Sequence, residues 1–347
     1  MPLNFTISGD YPIGDDPVAL AVADLNGDGT PDIVTVNRHD GTISILQGNG
    51  DGTFSGAAAL PVGSFPASVA VADLNGDGAA DLAVAVKDDR AVAVLLGNGD
   101  GTFASQTNLA TADTLPLSVT IGDLNGDGKW DLVTGSATWG DTSVSVLLGN
   151  GDGTFQEQVP YSVPGASNAV ALADLNGDGK ADLVAVSSFT SVLLGNGDGT
   201  FQAPDLVGYG GYSVAIADLN GDHILDLVKT QGTSVLVQLG NGDGTFQEQT
   251  SYADGPGSFR VAVADLDGDG RPDLAVDGDY GVQVLLGNGD GTFQPAQSFS
   301  ADYSAVRRYR RERQRPHHRQ PDAHRHGDAR DGCDVDGGHD RPRHEDG

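Results

Sequence analysis

Asp73-Leu74-Asn75-Gly76-Asp77-Gly78-Ala79-Ala80-Asp81 is followed, after two short Ala/Val runs, by Gly97-Asn98-Gly99-Asp100-Gly101-Thr102-Phe103. The first string, D-L-N-G-D-G-x-x-D, also begins at Asp24, Asp123 and Asp174, with close variants at Asp218 (DLNGDHILD) and Asp265 (DLDGDGRPD). The second, G-N-G-D-G-T-F, also ends at Phe54, Phe155, Phe201, Phe246 and Phe293. The two alternate strictly and recur every 44–52 residues, so one repeat is one supersecondary unit. Between them the apolar period is two: Ser68 to Ala72 precedes the acidic string, Leu82 to Val86 follows it, and Ala91 to Leu96 leads into the Asn-Gly-Asp-Gly turn. No stretch has helical periodicity.

Four short strands per unit, joined by Asp/Gly-rich turns, predict an all-β β-propeller of four-stranded blades. Small alanines alternating with valines suit an inner strand crowded near an axis. Sheets covered on both faces explain the near-continuous Ala/Val/Leu runs. Phe5 precedes Asp24 by 19 residues, as Phe54 precedes Asp73 and Phe155 precedes Asp174. Residues 5–10 therefore look like the last strand of a blade whose other strands lie elsewhere, and the phase predicts seven blades, six intact and a damaged or missing seventh. Ring closure by an N-terminal strand would remove free sheet edges.

The chain divides into a propeller over residues 1–303 and an irregular Arg/His-rich tail over 304–347, expected to be disordered. From Arg307 on, VRRYRRERQRPHHRQ has no period-two pattern and almost no aliphatic residues. A displaced reading frame accounts for this better than a purposeful basic tail. The run can be back-translated so that another frame reads Gly-Asp-Ile-Asp-Gly-Asn-Gly-Asn-Gly, close to where a seventh acidic loop is due.

The chain of 347 residues carries 19 Lys+Arg against 49 Asp+Glu. Residues 307–347 hold 11 of the arginines and nine of the acids, which leaves 8 basic and 40 acidic residues in 1–306, a net of −32. Such a body repels nucleic-acid phosphates and anionic membranes, and its excess acid calls for bound cations. The one cysteine, Cys333, lies in the tail, so a disulfide scaffold is excluded for the body. No apolar run is long enough for a transmembrane helix. The start, MPLNFTISGDYPIG, shows no signal peptide, so secretion rests on other grounds.

In Asp24-Leu25-Asn26-Gly27-Asp28-Gly29-Thr30-Pro31-Asp32, oxygen side chains stand at positions 1, 3, 5 and 9, and the carbonyl of position 7, Thr30, can supply another ligand. Glycine at position 6 permits the positive φ that turns the chain back. Hard oxygen ligands with several negative charges select Ca²⁺. Leucine at position 2 and Leu or Ile at position 10 point away and anchor the loop. The first six positions overlap the EF-hand pattern, but position 12 is Thr35, Val84 or Thr134 in the first three units rather than glutamate, and the flanks are β-like. Plain Asp/Gly turns without metal are the bland alternative; six loops in phase favour the ion. The fifth is irregular, because His223 replaces the position-6 glycine. The Asn-Gly-Asp-Gly strings read as tight hairpin turns.

These alternating strings resemble the FG-GAP/VCBS repeats, the calcium-loop β-propellers related to the integrin α-subunit head, over roughly residues 5–300. The resemblance implies Ca²⁺ at about six loops between the first and second strands of the blades. Its ligands in the first loop would be Asp24, Asn26, Asp28, Thr30 and Asp32, and in the second Asp73, Asn75, Asp77, Ala79 and Asp81. The third and fourth would use Asp123, Asn125, Asp127, Lys129 and Asp131, then Asp174, Asn176, Asp178, Lys180 and Asp182. The fifth and sixth would use Asp218, Asn220, Asp222, Ile224 and Asp226, then Asp265, Asp267, Asp269, Arg271 and Asp273, position 7 acting through its carbonyl throughout. The family further implies an extracellular or cell-surface module for recognition, adhesion or carbohydrate binding, alone or within a larger surface protein.

The face opposite the calcium loops is expected to hold the carbohydrate or protein ligand. Candidates there are Arg38, His39, Trp139, Tyr209, Tyr212 and Tyr280, with Tyr11, Tyr161 and Phe259 in the blade-to-blade connections. No G-x-S-x-G elbow, zinc-spaced histidine cluster or phosphate-binding Gly-Lys-Ser/Thr loop occurs. A binding module is the favoured reading. A polysaccharide lyase or other carbohydrate-active enzyme, built from Arg38, His39 and a tyrosine, is the alternative.

Overall fold

The computed structural model describes residues 11–111, 115–136, 144–278 and 281–299. The expected strand at 5–10, the position of a seventh blade, the tail, Trp139 and Tyr280 lie outside the described residues. Six antiparallel blades follow one another around a propeller ring. Their inner strands are Pro17–Ala23, Pro66–Ala72, Pro116–Gly122, Ala169–Ala173, Ser213–Ala217 and Val261–Ala264, each packed beside the next. In five blades the sheet order follows chain order through four strands. In the fifth, Asp226–Gln238 runs without a break and its two arms take the second and third places. Gly232, at φ 65°, allows that reversal.

The period-two pattern becomes legible as two packed faces. In the second blade Leu82, Val84 and Val86 pack toward Ile43, Ile45 and Val34 of the first. The intervening Ala83 and Ala85 pack toward Val119, Leu132 and Leu147 of the third. Every strand-two residue from Asp81 to Val86 is buried. Among the described residues five apolar clusters lie between successive blades, from the first pair to the fifth and sixth. Between the sixth and first blades lies a cleft of about 710 Å³ instead, lined by Leu20, Val261, Ala275 and Val282. Leu20 is 65% exposed there, whereas Val69, its counterpart in the second blade, is half-buried.

Tyr11 bears on the phase of the repeat. Its ring meets Phe54 edge-on at 5.6 Å, as Tyr161 meets Phe201 and Tyr252 meets Phe293. Tyr161 and Tyr252 belong to the outer strands of the blades that precede those phenylalanines. Tyr11 thus stands, relative to the first blade, where an outer strand of a preceding blade would place it. Tyr11 and Tyr161 also accept the amide N–H of Phe54 and Phe201 through their hydroxyls. Tyr161 is a blade-to-blade strut and Tyr11 packs on the first blade in the same way, which corrects the expectation that they belong to a recognition surface.

One lysine is wholly buried in this otherwise apolar packing. Lys229 Nζ donates to Thr190 Oγ1 at 3.0 Å, Tyr209 O at 2.7 Å and Gln238 Oε1 at 2.6 Å, all uncharged acceptors. Burial lowers its pKa from 10.5 to about 8. The folded state therefore binds fewer protons than the unfolded chain between those values, and stability rises as pH climbs from about 8 to 10.5. The unfolding free energy of the wild type relative to Lys229→Met should grow by up to about 3 kcal/mol over that window, read by urea titration at each pH. Parallel pH curves would show that the buried lysine keeps its ordinary pKa and stays charged in the fold at no cost.

Candidate functional site

Each acidic string lies between paired residues of the first and second strands, for example Ala72 opposite Asp81. Its geometry is the same in every blade because short-range hydrogen bonds build it. In the first loop Asp24 Oδ1 accepts the N–H of Gly27 at 2.8 Å, and Oδ2 accepts that of Gly29 at 2.8 Å. Asp28 Oδ1 accepts the N–H of Thr30 at 2.8 Å, and Asn26 Oδ1 accepts that of Asp28 at 3.0 Å. The position-4 and position-6 glycines adopt positive φ, 72° and 82° in this loop. His223 takes φ 65° at position 6 of the fifth loop, the uncommon conformation expected for it, while its N–H keeps the bond to Asp218 Oδ2.

The side-chain oxygens at positions 1, 3 and 5, aspartate at 1 and 5 and asparagine at 3 in all loops but the sixth, gather toward the loop's tip. In the sixth loop oxygens of Asp265, Asp267 and Asp269 lie within 4.8 Å of one another, an arrangement a hard divalent cation fits. Thr30 donates to Asp28 through its hydroxyl and amide, and these bonds hold the carboxyl of Asp28 below the usual range. The Ala79 amide does the same for Asp77. The side chains of Lys129, Lys180 and Arg271 fold back onto the position-5 carboxylates of Asp127, Asp178 and Asp269.

Position 9 behaves differently. Asp32, Asp81, Asp131, Asp182, Asp226 and Asp273 are fully buried. In the second blade Asp81 Oδ2 accepts the N–H of Leu74 and Oδ1 that of Gly97, both at 2.7 Å. The same pair of bonds recurs in all six blades. Burial pushes the carboxyl of Asp81 up, against the two amides, and the charges of Asp77 and Asp73 raise it further. This residue ties the acidic loop to the start of the second conserved turn, a role that the ligand pattern alone does not reveal.

The G-N-G-D-G-T-F strings are five-residue loops rather than two-residue hairpins, closed by a Gly48–Phe54 bridge and its five equivalents. Glycine carries the positive φ at Gly50 and Gly52, and Asp51 accepts the amide and hydroxyl of Thr53. Four of these turns lean on the acidic loop of the preceding blade. Gly101 N–H donates to Leu25 O, Gly153 to Leu74 O, Gly199 to Leu124 O and Gly291 to Leu219 O. The position-2 leucines Leu25, Leu74, Leu124, Leu175 and Leu219 are buried, as expected of anchors, while Leu266 of the sixth blade is only half-buried.

At the other end of the strands the ring's centre opens into a funnel of about 420 Å³. The residue six places before each acidic loop points into it: Val18, Ala67, Leu117, Asn168, Tyr212 and Phe259. Arg38 and Lys87, which occupy the same register at the ends of two second strands, join them with Phe65, Arg260 and Asp277. Of the candidates named from sequence, Arg38 and Tyr212 thus meet in one cavity. His39 does not line it: its ring nitrogens face Asp15 and Asp16 at 3.5 and 3.4 Å, beside Phe65. Tyr209 is exposed on an outer strand, its carbonyl engaged by Lys229. Sequence reasoning passed over Arg260. The signal for it was its place beside Phe259, at the start of an inner strand where the other blades carry Ala or Ser.

Comparison with curated proteins yields no match. Among solved structures, a lectin from Agrocybe aegerita that recognises non-reducing terminal N-acetylglucosamine is 27% identical with a TM-score of 0.61. The alignment covers 82% of this chain and 80% of the lectin. BBS1N, solved in complex with ARL6DN, is 12% identical over 82% of each chain with a TM-score of 0.56. A functionally unknown protein from Desulfotomaculum acetoxidans is 13% identical, with a TM-score of 0.54, over 77% of this chain and 79% of its own. These last two likenesses concern the fold alone. The model of the FG-GAP-like repeat matches residues 24–84, 73–134, 136–185, 174–228 and 230–276. With the same loop and turn geometry carried by every blade, the chain belongs to the FG-GAP-like repeat family of β-propellers.

Proposed function

We propose that this propeller is a calcium-loaded carbohydrate-recognition module working outside the cell. The single observation that carries the saccharide reading is the likeness to the Agrocybe aegerita lectin, at 27% identity over four-fifths of its length. Six phased clusters of hard oxygen donors on a body of net charge −32 support the calcium reading. Held by the carboxylates at positions 1 and 5, the Asn or Asp oxygen at position 3 and the position-7 carbonyl, the ion would cross-link each loop and neutralise its tip. Loops of this kind bind Ca²⁺ at about 10⁻⁴–10⁻³ M in extracellular modules, which matches calcium outside cells. Among the described residues no helix is long and apolar enough to cross a membrane.

The face away from the calcium loops is the one we assign to the ligand, because there aromatic and basic side chains gather into a cavity. A glycan array probed in millimolar Ca²⁺ and again in EDTA tests the reading. A restricted set of glycans should be retained in calcium and weakened in EDTA, as the scaffold loosens. An array on which no glycan is retained in calcium would refute it.

A further inference from the structure

The body of this chain has 8 basic residues for 40 acidic ones, and their distribution is not even. Lys129, Lys180 and Arg271 are paired within the acidic loops, and Lys229 is buried between blades. Of the remaining four, Arg38, Lys87 and Arg260 converge on the axial funnel. Arg38 lies near enough to Arg260 for its charge to lower the pKa of that guanidinium, adding to the effect of the dense surroundings, while Asp277 opposes both. Two carboxylates moderate the site. Asp277 Oδ1 accepts the amide N–H of Phe259 and of Arg260, and Asp16 Oδ2 stands 3.6 Å from Arg38 Nε. Three cations against two anions still leave a positive centre in a strongly negative molecule. Like charges brought together in an open cavity are stabilised by an anionic ligand.

The funnel also has an aromatic wall. Tyr212 and Phe259 are both exposed, with ring centroids 5.5 Å apart and planes inclined at 56°. Elsewhere in the same register stand the small residues Val18 and Ala67, which leave room in the cavity beside the aromatic pair. Its volume, about 420 Å³, suits one or two sugar rings. Aromatic faces pack against the apolar face of a pyranose, and planar guanidinium groups match a carboxylate in two parallel hydrogen bonds.

We propose that the axial funnel binds the carboxylate-bearing terminal residue of an acidic saccharide, its carboxylate held by Arg38 and Arg260 and its ring laid on Tyr212 and Phe259. The inference rests on the saccharide-recognition reading above and names the ligand class for it. Lys87 adds to the positive field at the rim.

Calorimetric titration in calcium decides it, using three matched oligosaccharides ending in glucuronate, in glucose and in a sulfated glucose. Wild-type protein should bind the glucuronate end at least tenfold more tightly than the glucose end. Arg38→Gln/Arg260→Gln should lose at least thirtyfold for the glucuronate probe, and Tyr212→Ala about tenfold for every sugar it binds. Arg260→Lys, which keeps the charge but not the fork, should lose an intermediate factor. Arg90→Gln, a basic residue outside the funnel, should leave binding unchanged, and unaltered melting of each variant excludes misfolding. If the glucuronate and glucose probes bind alike and the funnel variants change nothing, saccharide recognition stands but this site falls. If the sulfated probe binds as tightly as the glucuronate one, the carboxylate assignment is overturned. If no probe or arrayed glycan is bound, this inference and the underlying reading fall together.

Discussion

Metal-stripped protein should melt on the order of 10 °C or more below the same protein in 5–10 mM Ca²⁺. The size follows from mass action on the folded state. A site held at about ten times its dissociation constant contributes roughly 1.4 kcal/mol, and six such loops act together on one ring. A domain of this size shifts by about 2 °C per kcal/mol. The structure supplies the reason the unfolded chain should not bind comparably. The position-1 carboxylate is aimed by amides that its own turn presents, such as Gly27 and Gly29, and that turn is held by strand pairing on both sides. Six divalent ions would also cancel twelve of the body's 32 net negative charges, relieving repulsion around the rim. The same protein in 5–10 mM Mg²⁺ should gain much less, because an octahedral ion keeps its water. A melting temperature indifferent to EDTA and Ca²⁺, together with no calorimetric uptake, would end the calcium reading.

Asp81→Ala should cost about 3–5 kcal/mol even in EDTA. Both carboxylate oxygens of this fully buried residue accept backbone amides, Leu74 N–H and Gly97 N–H. Removing them strands two buried donors, each worth about 1–3 kcal/mol, and leaves a small void as well. Asp81→Asn keeps one acceptor but turns an NH₂ toward the other amide, so it should recover only part of the loss. Asp77→Ala makes the contrast. Asp77 is exposed at the loop tip, and its loss should matter little in EDTA while abolishing one loop's calcium increment. Denaturant unfolding of the three variants with and without calcium separates the two roles. An Asp81→Ala protein within 0.5 kcal/mol of wild type in EDTA would refute the staple role of the position-9 carboxylate.

Tertiary packing also explains which expectations needed correction. Tyr11 and Tyr161 look like loop aromatics in the sequence, because nothing local distinguishes an exposed tyrosine from one that packs on the next blade. Their phenylalanine partners lie about 40 residues away, at Phe54 and Phe201, and only folding brings them within 5.6 Å. His39 and Arg38 are neighbours in one turn and both reach Asp16, yet His39 also faces Asp15 and only Arg38 lines the funnel.

What the order of residues determined by itself is the repeat: its strands, its loops, their phase and the hydrogen bonds within each acidic turn. Those features depend on contacts across a few residues or one hairpin, and each is written six times over. What only the tertiary structure decided is how unlike positions from different repeats come together. Val18, Leu117 and Tyr212 hold one register of the repeat with unlike side chains, and Arg260 stands one place further along. They line one cavity because successive inner strands pack side by side around a common axis. The same holds for the apolar cleft beside Leu20 and Val282, where the sixth and first blades face each other across a gap that no pairwise reading of one repeat could place.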